Sequence, residues 1–159
     1  MATNRKALAG IATAGAVALV AGFEGFRSQA YLPHKDDVAT IGYGQTYYTN
    51  GRKVQMGDRI SEAVARTQLN DLIKRDFVAK MANCVKVPLN EGEFKAFVSL
   101  AYNIGAGAFC KSTLVRKLNA GDYNGACSEI LRWNRSGGRV LAGLQKRRFK
   151  EYQICMLGE

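Results

Sequence analysis

Between Lys6 and Glu24 the chain has seventeen residues without a charge, Ala7 to Phe23, and this run limits what the remainder can form. Three physical outcomes fit it. A cleaved secretion signal would need its small-residue site near Val20-Ala21-Gly22 and would leave Glu24 at a ragged new end. A permanent membrane span wants about 20 strongly apolar residues, whereas this stretch is short and rich in Ala and Gly. A buried core helix is the third outcome, and Arg5 and Lys6 in front of the run are compatible with all three.

Directly after the run comes Glu24-Gly25-Phe26-Arg27-Ser28-Gln29-Ala30-Tyr31, and then Val38-Ala39-Thr40-Ile41-Gly42-Tyr43-Gly44. A lone acid leaving an apolar helix, followed by a short strand with two glycines, can bring a carboxyl to the rim of a cleft. A carboxyl beside apolar surface keeps its proton to higher pH, and glycine lets a backbone or a bulky ligand approach closely. By residue type alone, an acid at such a boundary is more often solvated than catalytic.

A chain of 159 residues suits one domain with a substantial core. Its net charge of +10 and pI near 9.7 call for a polyanionic partner: nucleic acid, anionic lipid or acidic cell wall. The basic residues form no long run, no aromatic-interleaved stripe and no zinc pattern, which sets nucleic acid behind the others. Cys84, Cys110, Cys127 and Cys155 show no Cys-x-x-Cys spacing, so neither metal nor cofactor is expected. They are buried thiols in a cytosolic protein or two disulfides in an exported one.

Asn50-Gly51 predicts a type I′ turn in a hairpin region over roughly 38–56. Asp58 and Ser61 offer caps for a helix through Val64, Leu69, Leu72, Ile73, Phe77, Val78 and Met81, ending before Pro88. A core helix follows from Glu91 through Phe94, Phe97, Val98, Ala101 and Tyr102, broken by Gly105 and Gly107. Leu114, Val115 and Leu118 mark a short helix. Asp122 caps the next, with Trp133 on its apolar side. Gly137-Gly138 forms a loop, and a last helix from about Arg139 turns Val140, Leu144, Tyr152 and Cys155 inward.

Residues 24–44 resemble the active-site hairpin of the phage-type lysozymes, the endolysin muramidases. That pattern runs Glu, then Asp or Cys, then Thr, then a glycine-rich strand. Glu24 and Thr40-Ile41-Gly42-Tyr43-Gly44 fit it. The spacing from Glu24 to Thr40 is one residue longer than the pattern, which places the middle position on Pro33 counted forward and on His34 counted back. The second carboxylate then falls to Asp37 or Asp36, with Asp37 preferred because the chain turns into the strand just after it. Ala101 to Gly107 resembles the turn beneath the family's cleft, making Asn103 a candidate sugar contact or a helix cap. Ala142 to Arg148 resembles the segment whose arginine approaches the acid. Arg147 or Arg148 would steady Glu24 while opposing the proton retention that a general acid needs.

The resemblance implies an α+β, mainly helical fold in two lobes, a small β-hairpin lobe and a larger helical lobe with the cleft between them. It implies hydrolysis of bacterial peptidoglycan, with Glu24 as acid, Asp37 assisting the water or stabilising the transition state, and Thr40 positioning the water. Residues 1–23 resemble a signal-anchor-release segment that joins the fold of residues 24–159 once it leaves the inner membrane. A monomer without nucleic-acid partner, acting in the periplasm, is expected. Export tips the cysteines towards disulfides, paired Cys84–Cys110 and Cys127–Cys155, each joining the flanks of one helical hairpin.

Overall fold

The computed structural model describes residues 4–159, and the first three residues of the anchor-like segment lie outside that range. The uncharged run is not one helix. A 3-10 turn at Leu8–Gly10 precedes α1 (Ala14–Glu24), and Leu8, Ile11, Ala16, Val17, Val20 and Ala21 are buried. Lys6 and Leu89 exchange both backbone hydrogen bonds, at 2.8 and 2.9 Å, so the segment ahead of α1 is tied into the helical lobe. Among the described residues no helix is long and apolar enough to cross a membrane.

Gly25 ends α1 with φ of 71°, a conformation that a side chain would strain, and its N–H closes on Ala21 O. Strand β1 (Arg27–Tyr31) follows at once and pairs antiparallel with β2 (Thr40–Gly42), Arg27 opposite Gly42 and Tyr31 opposite Thr40. The hairpin thus begins earlier than the alternation over 38–56 suggests. Apart from β2, that later stretch contributes isolated bridges, Ile41 with Gln45 and Tyr47 with Lys53. At the turn itself Gly51 takes positive φ but Asn50 does not, so the turn is not type I′, which requires it at both.

Ser61 caps α2 (Glu62–Leu72) by accepting the Val64 N–H at 3.2 Å. The helix widens into a π-helical turn at Ile73–Val78 and resumes as α3 (Ala79–Cys84), which joins the lobes. Leu69, Ile73 and Met81 fill the core, but Val64 faces solvent. Helix α4 (Glu91–Ile104) starts on a capping box between Asn90 and Glu93 and crosses the centre of the molecule, with Phe94, Phe97, Val98 and Leu100 buried. Around it lie α5 (Ala106–Cys110), α6 (Thr113–Asn119), α7 (Tyr123–Glu129) and α8 (Ala142–Leu157). The expected last helix starts three residues later than Arg139, because β3 (Arg135–Ser136) and β4 (Arg139–Val140) form a small hairpin across Gly137-Gly138 and leave Val140 exposed. Trp133 is only partly buried, against the core.

Both expected disulfides are present, Cys84–Cys110 and Cys127–Cys155. The first fastens the end of α3 to the end of α5. The second fastens α7 to α8.

Candidate active site

Glu24 closes α1 at the negative end of that helix's dipole, so its carboxylate needs a cation close by. Arg147 supplies it. Its Nη1 donates to Glu24 Oε1 at 2.7 Å, and its guanidinium stacks over the Phe23 ring at 4.7 Å. The choice between the two arginines of α8 is thereby settled: Arg147 meets Glu24, while Arg148 is fully buried behind it and pairs with Glu151.

Tyr102 of α4 completes the wall. Its hydroxyl donates to Tyr43 O at 2.7 Å and its ring packs on Phe77 of the connecting helix, 5.2 Å between centroids. Burial, with the charge of Glu24 nearby, holds the Tyr102 hydroxyl well above the ordinary phenol range, so it remains a neutral donor. At Gly44, φ is 83°, and a Cβ would lie 3.4 Å from Glu24 Oε2 and 3.8 Å from the Tyr102 oxygen. Only a glycine there leaves the face of the acid open.

Gly44 and Tyr102 also line a cleft of about 460 Å³ between the hairpin lobe and the connecting helix, where Tyr47 and Tyr48 face Arg75 and Phe77. Arg75 Nη1 donates to Thr49 O at 3.2 Å across this cleft.

The remaining expected residues are less tightly placed. Thr40 is buried at the start of β2, and its hydroxyl donates to Val38 O at 3.1 Å, leaving its oxygen able to accept. Asp36 and Asp37 lie exposed on the loop between β1 and β2. The Asp37 N–H closes a turn on His34 O at 3.1 Å. Among the described residues neither carboxylate enters a hydrogen bond or ion pair of its side chain. Asn103 is exposed in the last turn of α4 and is not the cap, a position taken by Gly105.

Three residues around the acid went unassigned in the sequence: Tyr102, Ser99 and Glu151. Glu151 was legible in part, since it follows Arg147 by four residues and Arg148 by three, spacings that pair on a helix. Ser99 sits on α4, and no local spacing points to it.

The family model described as phage lysozyme matches residues 21–151, a span that starts just ahead of Glu24 and ends at Glu151. The chain belongs to the phage lysozyme family. It is a glycosidase of that family, and its mainly helical fold with two small antiparallel sheets matches the solved members. An endolysin from Escherichia coli O157:H7 phage FAHEc1 superposes with a TM-score of 0.80 at 33% identity, covering 90% of this chain and 91% of the other. The SAR-endolysin of Enterobacteria phage P21 is 36% identical over 98% of this chain and 96% of its own length. The endolysin of Bacillus phage B103 is 42% identical over 89% of this chain, which spans about half (52%) of that longer protein.

Proposed function

We propose that this family member is an endolysin muramidase that hydrolyses the β-1,4 bond between N-acetylmuramic acid and N-acetylglucosamine in bacterial peptidoglycan and so lyses the host. The observation that carries this reading is Glu24, held at 2.7 Å by Arg147 beside an open glycine at the head of the cleft. Glu24 donates its proton to the leaving glycosidic oxygen, and Arg147 fixes the direction of that transfer. Asp37, or its neighbour Asp36, assists the attacking water or stabilises the oxocarbenium-like transition state. Thr40, whose oxygen retains acceptor capacity, positions the water. Asn103 is assigned to the sugar at the helical-lobe side. Positive charge draws the enzyme to the anionic wall and makes its binding weaken with salt.

Residues 1–23 serve first as an anchor in the inner membrane and then as part of the folded, periplasmic enzyme, a monomer. The name of the P21 relative supports this, as does the docking of the segment here. Magnitudes favour release: a central Leu, Ile or Val contributes only about 0.3–0.6 kcal/mol to insertion, and Ala and Gly contribute less. Once out of the bilayer, Leu8, Ile11, Val17 and Val20 find a second apolar environment in the fold, so release leaves none of them in water. Undocking α1 also withdraws Glu24 from Arg147, so the tethered form is inactive.

The test compares wild type with Glu24→Gln for release of soluble muropeptides from purified peptidoglycan. The variant is expected to lose about 10³-fold or more of the activity while keeping its Tm, since size is preserved and only the transferable proton is lost. Near-normal release by Glu24→Gln, or no release by wild type, would overturn the reading.

A further inference from the structure

Behind the Glu24–Arg147 pair lies a carboxylate that takes no part in the steps above. Glu151 is fully buried on α8, and Ser99 of α4, also fully buried, donates to its Oε1 at 2.6 Å. Arg147 Nε and Arg148 Nη2 donate to the same oxygen at 3.3 and 3.1 Å, and Arg148 Nε stands 2.8 Å from Oε2. Arg147 Nη2 reaches Ser99 O at 3.3 Å, which leaves Nη1 for Glu24.

Stability is a poor explanation of this cluster. Apolar residues of similar volume usually serve as well as a buried ion pair, because removing charges from water costs several kcal/mol per ion. The cost is visible on both sides: burial pulls Arg148 below and pushes Glu151 above their ordinary values, and their mutual contact opposes both shifts.

We propose that Glu151 is a positioning residue for the glycosidase reaction, gripping the Nε edge of Arg147 so that Nη1 faces Glu24, and matching the second positive charge of Arg148. This rests on the reading of Glu24 as the acid. Two arginines then face two carboxylates. Among the described residues the neutral hydroxyl of Tyr102 from α4 also lies near Glu24, and Lys150 of α8 has its Nζ 6.0 Å from the centre of the Phe23 ring. Neither compensates for the loss of Glu151. In its absence Arg147 loses the grip on its Nε edge and keeps Ser99 O and the Phe23 ring to direct it, and one positive charge beside Glu24 is left unmatched. Glu151 acts through Arg147 and touches no substrate.

The test measures kcat and KM of the full-length protein on purified peptidoglycan across pH at constant ionic strength. Glu151→Gln is expected to move the alkaline limb of the kcat profile down by about one pH unit, the effect of an unmatched charge at this range. At neutral pH it lowers kcat about tenfold with KM unchanged. Adding Arg148→Met to that variant restores the charge match and returns the limb towards its wild-type position. Glu151→Asp keeps the charge and shortens the reach, so kcat falls while the limb stays. An unmoved limb in Glu151→Gln would overturn the assignment. If that variant does not fold, wild-type kcat in Glu151→Asp overturns it instead. Absence of cleavage by wild type would remove the catalytic reading of Glu24 itself, and this inference with it.

Discussion

Glu24 and Asp37 each precede a strand of the same two-stranded sheet, yet they are held in opposite ways. Glu24 ends a docked helix and sits against Arg147, which is braced by Ser99 and Glu151 on two packed helices. Asp37 lies exposed on a loop with only its backbone fixed. Under the proposed mechanism, the difference means that the helical lobe sets the geometry of proton donation and the hairpin lobe supplies groups which substrate must complete. A general acid has to be aimed at one oxygen, whereas a carboxylate that steers a water or offsets spread positive charge tolerates more freedom.

The contrast breaks hardest at Arg147. Arg147→Met should lower activity by about 10²-fold and stability by about 3–5 kcal/mol, because it leaves Glu24 and Glu151 without their shared cation. Muropeptide release and thermal unfolding measure the two effects. Arg147→Lys should restore little, since an ammonium cannot present separate edges to two carboxylates and a serine. A smaller effect is expected when Cys127–Cys155, which anchors the far end of α8, is removed by serine substitution. Stability should fall by about 2–4 kcal/mol in denaturant titration, with kcat retained wherever the fold persists.

On the looser side, Asp37→Asn should reduce kcat by about tenfold to a hundredfold. Asp36→Asn should change it little. If both variants keep full activity, the hairpin lobe contributes no carboxylate and the comparison collapses to one acid. The smallest effect is expected at Asp58, in the hairpin lobe. There the Gln55 N–H and the Tyr48 hydroxyl hold the carboxyl below its ordinary value. A depressed carboxyl stabilises the folded state above its unfolded value, and that contribution disappears as pH falls through the folded one. Asp58→Asn should therefore lower Tm slightly at neutral pH, and the two melting curves should converge in acid.

Much of this arrangement was legible in the chain. The caps at Ser61 and Asp122 and the core stripe of α4 follow from periodicity and local chemistry, whereas Glu24 as the acid and the choice of disulfides over thiols rest on the resemblance. The resemblance narrowed the arginine to two positions. What could not be read depends on tertiary choice. Strand β1, Arg27-Ser28-Gln29-Ala30-Tyr31, has no apolar alternation because its side chains are exposed or only half-buried. The hairpin of β3 and β4 is two residues per strand, too short for any pattern. Arg148 and Glu151 look like a solvated helical face, and only the packing of α4 against α8 turns them inward.

The most direct test of the account digests purified peptidoglycan in heavy-oxygen water and weighs the new sugar ends. Hydrolysis aided by Glu24 and a positioned water predicts muramic-acid reducing ends that carry one heavy oxygen, at a rate that collapses in Glu24→Gln. Unlabelled anhydro ends, or labelled ends formed equally fast by that variant, would contradict it.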